Sequence, residues 1–178
     1  MLYMILKDGF EETEALATYD FIKRGNIDIV TVGDKDVVTG THGIKVYTDI
    51  LFSDIDKEKL TGVILPGGQP GSDNLFNCEK TKELINFSYK ENKLICAICA
   101  APYILGEMGL LKGKSATCFP GFESYLKGAD ILDKKVVRDG NIITAKGMGA
   151  SFLFGREIVK YFKGEELAEK IMEGIFAK

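Results

Sequence analysis

The sequence predicts an α/β fold, a flavodoxin-like three-layer α/β/α sandwich with a mainly parallel sheet and a small β-hairpin. Three observations predict it. Short apolar runs alternate with helical patterns along the 178 residues. Several of these runs end at glycine- or proline-bearing turns. No repeat, low-complexity tract or linker divides the chain, so residues 1–178 read as one domain with a substantial core.

The elements follow in order. LYMIL (2–6) is short and apolar, ends at Lys7-Asp8-Gly9, and reads as a buried strand. A helical pattern over 11–24 places Ala15, Leu16, Tyr19 and Ile22 on one face, with Glu11, Glu12 and Glu14 in its first turn. IDIVTV (27–32) is a second strand, and DVVTGTHGIKVYT (36–48) has the form of a hairpin. TGVILPGG (61–68) is a strand running into Pro-Gly-Gly, followed by a helix over 79–91 with Leu84, Ile85 and Ser88 in register. KLICAI (93–98) is the next strand, and 100–108 the next helix, with Pro102 in its first turn where a missing N–H is harmless. KSATCF (114–119) suggests a short strand and GFESYL a short helix. KKVVRDGNIITA (134–145) has two strand arms around Asp139-Gly140, and two helices, 151–162 and 165–176, close the chain.

Composition narrows the function. A net charge of -3 and the absence of a basic stripe argue against nucleic acid. No apolar stretch approaches the roughly 20 residues of a membrane span, and MLYMILKDGF lacks a basic leader. A cytoplasmic protein is expected. Its four cysteines, Cys78, Cys96, Cys99 and Cys118, are then reactive or buried rather than disulfide-bonded.

In an open parallel sheet, ligands bind at the carboxyl ends of the strands. Four loops leave such ends here, residues 8–14, 66–71, 99–102 and 146–151. Cys99 lies where a strand gives way to a helix, whose free N–H groups and dipole favour a thiolate and lower the thiol pKa. Cys96 falls within the strand, on the face opposite Ala97, as a small core residue. A redox dithiol would place both sulfurs in the loop and first helical turn, yet Ala97-Ile98 continue the strand. A zinc clip lacks a second ligand pair, so no metal is expected.

The acids Glu11, Glu12 and Glu14 suit a helix N-terminus electrostatically, and one carboxyl near Cys99 would also serve as a hydrogen-bond donor or proton carrier. Which of the three points inward stays open at this level. Gly67-Gly68 and KGMGAS (146–151, with Gly147) are turns whose backbone could approach a ligand closely. KGMGAS fails as a dinucleotide fingerprint, because Phe152 stands where a glycine is needed. GLLKGKS fails as a phosphate loop, because Met108 does and a helix precedes it. His42, the sole histidine, falls in the hairpin as a solvated turn residue, and no histidine adjoins Cys99.

Four segments in this order, KDGFEETEA, VILPGGQPGSDNL, ICAICAAP and TAKGMGASF, resemble the ThiJ/PfpI superfamily, in the branch of the Parkinson-disease-associated deglycase and its bacterial homologues. The resemblance spans nearly the whole chain. It implies a flavodoxin-like homodimer with a reactive cysteine at a strained strand–helix elbow and no cofactor. Carried over by motif, Cys99 matches the nucleophilic, oxidation-sensitive cysteine, and Glu14 its carboxylic acid partner. Gly68 and Ala100 match the backbone donors of an oxyanion pocket, with Gly67, Cys118 and Gly147 as neighbouring substrate or anion contacts. Arg24 resembles a basic residue near the dimer interface, and His42 falls near another. Three departures stand out. Cys118 and Phe119 replace a histidine, Ala100 replaces the histidine of the peptidase-like branch, and Met148 replaces a proline. The resemblance implies a small reactive carbonyl as substrate, with thiol oxidation as the alternative role. Intracellular peptidase and thiazole-biosynthesis activities have no matching site.

Overall fold

The structure, a computed structural model, describes residues 1–177. In chain order the elements are β1 (Leu2–Ile5), α1 (Glu12–Arg24), β2 (Ile29–Gly33), β3 (Val37–Thr39), β4 (Lys45–Tyr47) and β5 (Ile50–Leu51). Then come β6 (Gly62–Leu65), α2 (Gly71–Phe76), α3 (Glu79–Lys90), β7 (Leu94–Ile98) and α4 (Pro102–Glu107). The chain finishes with β8 (Ser115–Ala116), β9 (Asp130–Ile131), β10 (Val136–Asp139), β11 (Ile142–Ala145), α5 (Ser151–Lys163) and α6 (Glu165–Gly174).

Seven strands form the central sheet in the order β10-β11-β7-β6-β1-β2-β5, and only β10 runs antiparallel to its neighbour. The predicted α/β sandwich is therefore the observed fold. Strands β1, β6 and β7 are buried on every residue, as strands covered on both faces must be. Side-chain alternation splits the core into two layers. Cys96 and Ile98 pack with α1, α5 and α6, while Ile95 and Ala97 pack with α3 and α4. Cys96 is thus the core residue its position predicted.

Three short elements escaped the sequence reading: β5, α2 and β9. GFESYL forms a 3₁₀ turn at Glu123–Tyr125, and the strand near 114–119 shrinks to Ser115–Ala116. On α1 the buried face is Ala15, Thr18, Phe21 and Ile22, whereas Leu16, expected in the core, is 41% exposed. The β3–β4 hairpin forms its own small sheet and folds over the start of α1, where Thr41 N donates to Phe10 O and Gly9 N to Thr39 O.

Candidate active site

The carboxyl ends of β1, β6, β7 and β11 lie on one edge of the sheet because all four strands are parallel. The loops that leave them converge. Glu11 N donates to Gly67 O at 2.9 Å, Cys99 N to Ala145 O at 2.9 Å, and Phe119 N to Cys99 O at 2.8 Å. The two bonds on Cys99 hold it in a left-handed conformation, φ 65°. A non-glycine residue there is strained, and the surrounding hydrogen bonds hold it. The thiol consequently turns out of the strand toward the other loops.

Glu14 answers the question the sequence left open. It is the inward carboxyl, 1% exposed, and its Oε2 accepts the Gly67 N–H at 2.8 Å. Glu11 instead caps α1, its Oε2 accepting the Glu14 N–H at 2.6 Å. Gly67 stands between acid and thiol: a Cβ there would lie 2.6 Å from both Cys99 Cβ and Glu14 Oε2. Gly68, φ 90°, presses on the α1 loop so closely that a Cβ would meet Glu11 N at 2.4 Å.

Burial pushes the Glu14 carboxyl up to about 7, against the pull of the Cys99 thiol and the Gly67 N–H; the Glu11 charge adds to the rise. Burial, followed by the Glu14 charge and hydrogen bond, pushes the Cys99 thiol up to about 12. The Ala100 and Gly68 N–H groups act on the sulfur in the opposite direction. The lowered thiol pKa expected from the helix N-terminus is therefore reversed beside Glu14. Desolvation and a like charge outweigh two N–H groups and a helix as short as the six-residue α4. The Glu14–Cys99 contact is loosely aligned, since Glu14 Oε1 is buried without a well-formed hydrogen bond.

The remaining predicted residues divide. Gly147 lies against the thiol, where a Cβ would stand 4.0 Å from Cys99 Sγ and 3.3 Å from the Phe119 ring. It opens onto a cleft of about 460 Å³ lined by Phe119, Lys146, Gly147 and Met148. Cys118, expected to contact the substrate, instead sits in the core because its side chain points into the helix layer, its thiol raised to about 11 by burial and the Glu123 charge against the opposing Lys146 charge. Phe119 therefore takes the cleft wall, and alternation along SATCFP could have placed it there. Arg24 ends α1, ten residues from Glu14 and so about 15 Å along the axis; it is 51% exposed and paired with Asp20 at 2.7 Å. His42 is 73% exposed, and its Nδ1 lies 3.0 Å from Glu12 Oε2. Within one chain, neither basic residue is brought to the thiol by these contacts.

Among the described residues, one cluster has metal-ligand character, with donor atoms of Glu11, Glu12 and His42 within 4.8 Å of one another. Those atoms already have partners. Glu12 accepts the His42 and Ile44 N–H groups and the His42 ring, while Glu11 caps α1. Burial opposes the Glu12 charge, but these bonds prevail and hold its pKa below the usual carboxylate range.

Comparison with known proteins places the chain by family and fold. Residues 1–161 match the DJ-1/PfpI family. The chain is 36% identical to protein DJ-1 homolog B of Arabidopsis thaliana, over 90% of this chain and 37% of that protein. It spans 43% of the related homolog A, so less than half of either plant relative is represented here. It is 31% identical to deglycase PfpI of Pyrococcus furiosus, over 86% of this chain and 94% of that protein. A solved mutant structure of the DJ-1 superfamily protein STM1931 from Salmonella typhimurium superposes with a TM-score of 0.93 at 32% identity. It covers 98% of this chain and 97% of that one.

Proposed function

This chain belongs to the DJ-1/PfpI family, and on that premise we propose that it is a cofactor-free, cysteine-dependent enzyme acting on small reactive aldehydes, of the glyoxalase III or deglycase type. The observation that carries the reading is the left-handed Cys99 set beside a buried Glu14 that titrates near neutrality.

The chemistry follows from those positions. The sulfur adds to the aldehyde carbon, forming a C–S bond while the carbonyl π pair moves to oxygen. Glu14 takes the thiol proton and delivers it to the new oxyanion, which the Gly68 and Ala100 N–H groups stabilise. The product is a hemithioacetal. With a 2-oxoaldehyde, Glu14 next removes the proton from the former aldehyde carbon and returns it to the adjacent one. The hemithioacetal hydroxyl gives its proton to the second carbon's oxygen, so the first carbon becomes a thioester as the second becomes an alcohol and no outside oxidant is required. Water then releases a 2-hydroxy acid and restores the thiol.

The test is lactate and glycolate production from methylglyoxal and glyoxal by wild type, Cys99→Ser and Glu14→Gln. Both variants are expected to lose at least about a hundredfold in kcat/KM. The wild-type rate should rise with pH as Glu14 ionises and level off above about 7. Full activity in Cys99→Ser sinks the proposal.

A second reading is favoured by the same N–H groups that act on the sulfur. Two equivalents of peroxide would convert the Cys99 thiol to a sulfinate and two waters, the anion held by Gly68, Ala100 and protonated Glu14. Intact mass after mild peroxide, compared with Cys99→Ser, distinguishes this; no selective gain of two oxygens at Cys99 removes it.

For assembly we propose a homodimer, which would give Arg24 and His42 a role from the partner side. Leu16 on α1 and Ile44 in the hairpin are exposed apolar side chains, and Glu12, one turn before Leu16, accepts the Ile44 N–H.

A further inference from the structure

A second cleft, of about 480 Å³, shares no lining residue with the one beside Cys99. Four aromatic side chains line it: Phe76 from the end of α2, Tyr103 from α4, and Phe122 and Tyr125 from the following turn. Tyr103 is central, with ring centroids 5.4 Å from Phe76, 6.1 Å from Phe122 and 5.7 Å from Tyr125. Gly106 permits this approach, because a Cβ there would stand 2.1 Å from Tyr125 O. Tyr125 nonetheless remains 45% exposed.

One carboxylate faces the rings. Asp73 Oδ1 accepts the Tyr103 hydroxyl at 2.9 Å, and Asp73 lines the cleft. Burial, then the Asp73 hydrogen bond and the charges of Asp73 and Glu107, raise the Tyr103 phenol above its ordinary pKa. The neighbouring ammonium groups are already committed: Lys82 to Glu79 at 2.5 Å, and Lys127 to Glu107 at 2.7 Å. Lys82 Nζ also lies 5.5 Å from the Phe76 ring centroid, so one of these rings already attracts a cation.

We propose that this aromatic and acidic cleft binds a small organic cation of the trimethylammonium class, with Tyr125, Tyr103, Phe122 and Phe76 as ring contacts and Asp73 as counter-charge. Ring quadrupoles and a carboxylate attract the same ligand. An anion would meet Asp73 repulsively. A purely apolar ligand would strip water from the Asp73 carboxylate without supplying a counter-charge. A quaternary ammonium carries its charge on an apolar surface, so it can enter against rings with little loss of hydration. The site is independent of the Cys99 reaction and stands whether or not that proposal holds.

Choline and its uncharged isostere 3,3-dimethylbutanol should be titrated into the reduced full-length protein, with amide NMR shifts followed at Gln69, Asp73, Tyr103 and Tyr125. Saturable shifts with choline are expected, with 3,3-dimethylbutanol binding about tenfold more weakly. Tyr125→Leu retains apolar bulk but removes the ring, and Asp73→Asn removes the charge. Each should weaken choline about tenfold, with far-UV circular dichroism unchanged as the check on folding. Equal affinity for the two probes, unaltered choline affinity in folded Asp73→Asn, or no saturable shifts would each overturn the proposal.

Discussion

Glu14 is buried and still titrates near neutrality, which gives it a thermodynamic signature apart from catalysis. Its folded-state pKa of about 7 lies above the ordinary 4.5, so between those values the folded chain binds the proton more tightly than the unfolded one. Its contribution to stability is therefore greatest at low pH and falls as pH rises through that window, by about 3 kcal/mol in all. Glu14→Gln abolishes this loss. The variant should gain on wild type by about 2–3 kcal/mol between pH 5 and pH 8 in denaturant unfolding; a constant gap would show that Glu14 is not desolvated as described. Gly67 explains why no larger residue can separate acid from thiol, since any side chain there collides with both. Cys99 and Glu14 were legible in the sequence from their loops and from the resemblance. The direction of the thiol pKa was not, because desolvation depends on what covers the sulfur.

Among the elements, the contact of α1 with α5 depends on one missing side chain. A Cβ on Gly155 would lie 2.8 Å from the Cβ of fully buried Phe21, an atom fixed by the backbone of α1. Alanine in a helix gains about 0.5–1 kcal/mol over glycine, while overpacking costs about 1–3 kcal/mol. Overpacking should prevail. Gly155→Ala is expected to lower stability by about 1 kcal/mol in urea unfolding, although the same substitution on an open helix face would raise it. The long elements were readable because several turns or a full buried strand repeat a pattern. The two-residue strands β5 and β9 and the six-residue α2 contain too few residues to show a period. Leu16 fits the apolar spacing of α1, yet the helix is rotated so that Thr18 and Phe21 face the core. Packing against α5, rather than spacing, set that rotation.

For the whole molecule, the parallel order of β1, β6, β7 and β11 brings residues 14, 67, 99 and 147 to one edge although they span most of the chain. No helix among the described residues is long and apolar enough to cross a membrane. If the proposed dimer forms through α1 and the hairpin, sedimentation equilibrium should report twice the 19.6 kDa chain mass. Leu16→Glu should shift it toward the monomer, because an unpaired carboxylate would then be buried at the contact; an unchanged dimer would relocate the interface. The alternation of apolar runs and helical patterns, with loops bearing glycine, acid and cysteine, determined by itself the α/β class and the four loops of the site. Periodicity reports which face of an element is buried, and parallel strands must place their carboxyl ends together. The tertiary structure alone decided the direction of the Cys99 thiol pKa, that Leu16 turns away from the core, and that four rings and Asp73 line a second cleft. Each of these rests on distances between segments remote in sequence, set by the packing of the two layers on the sheet.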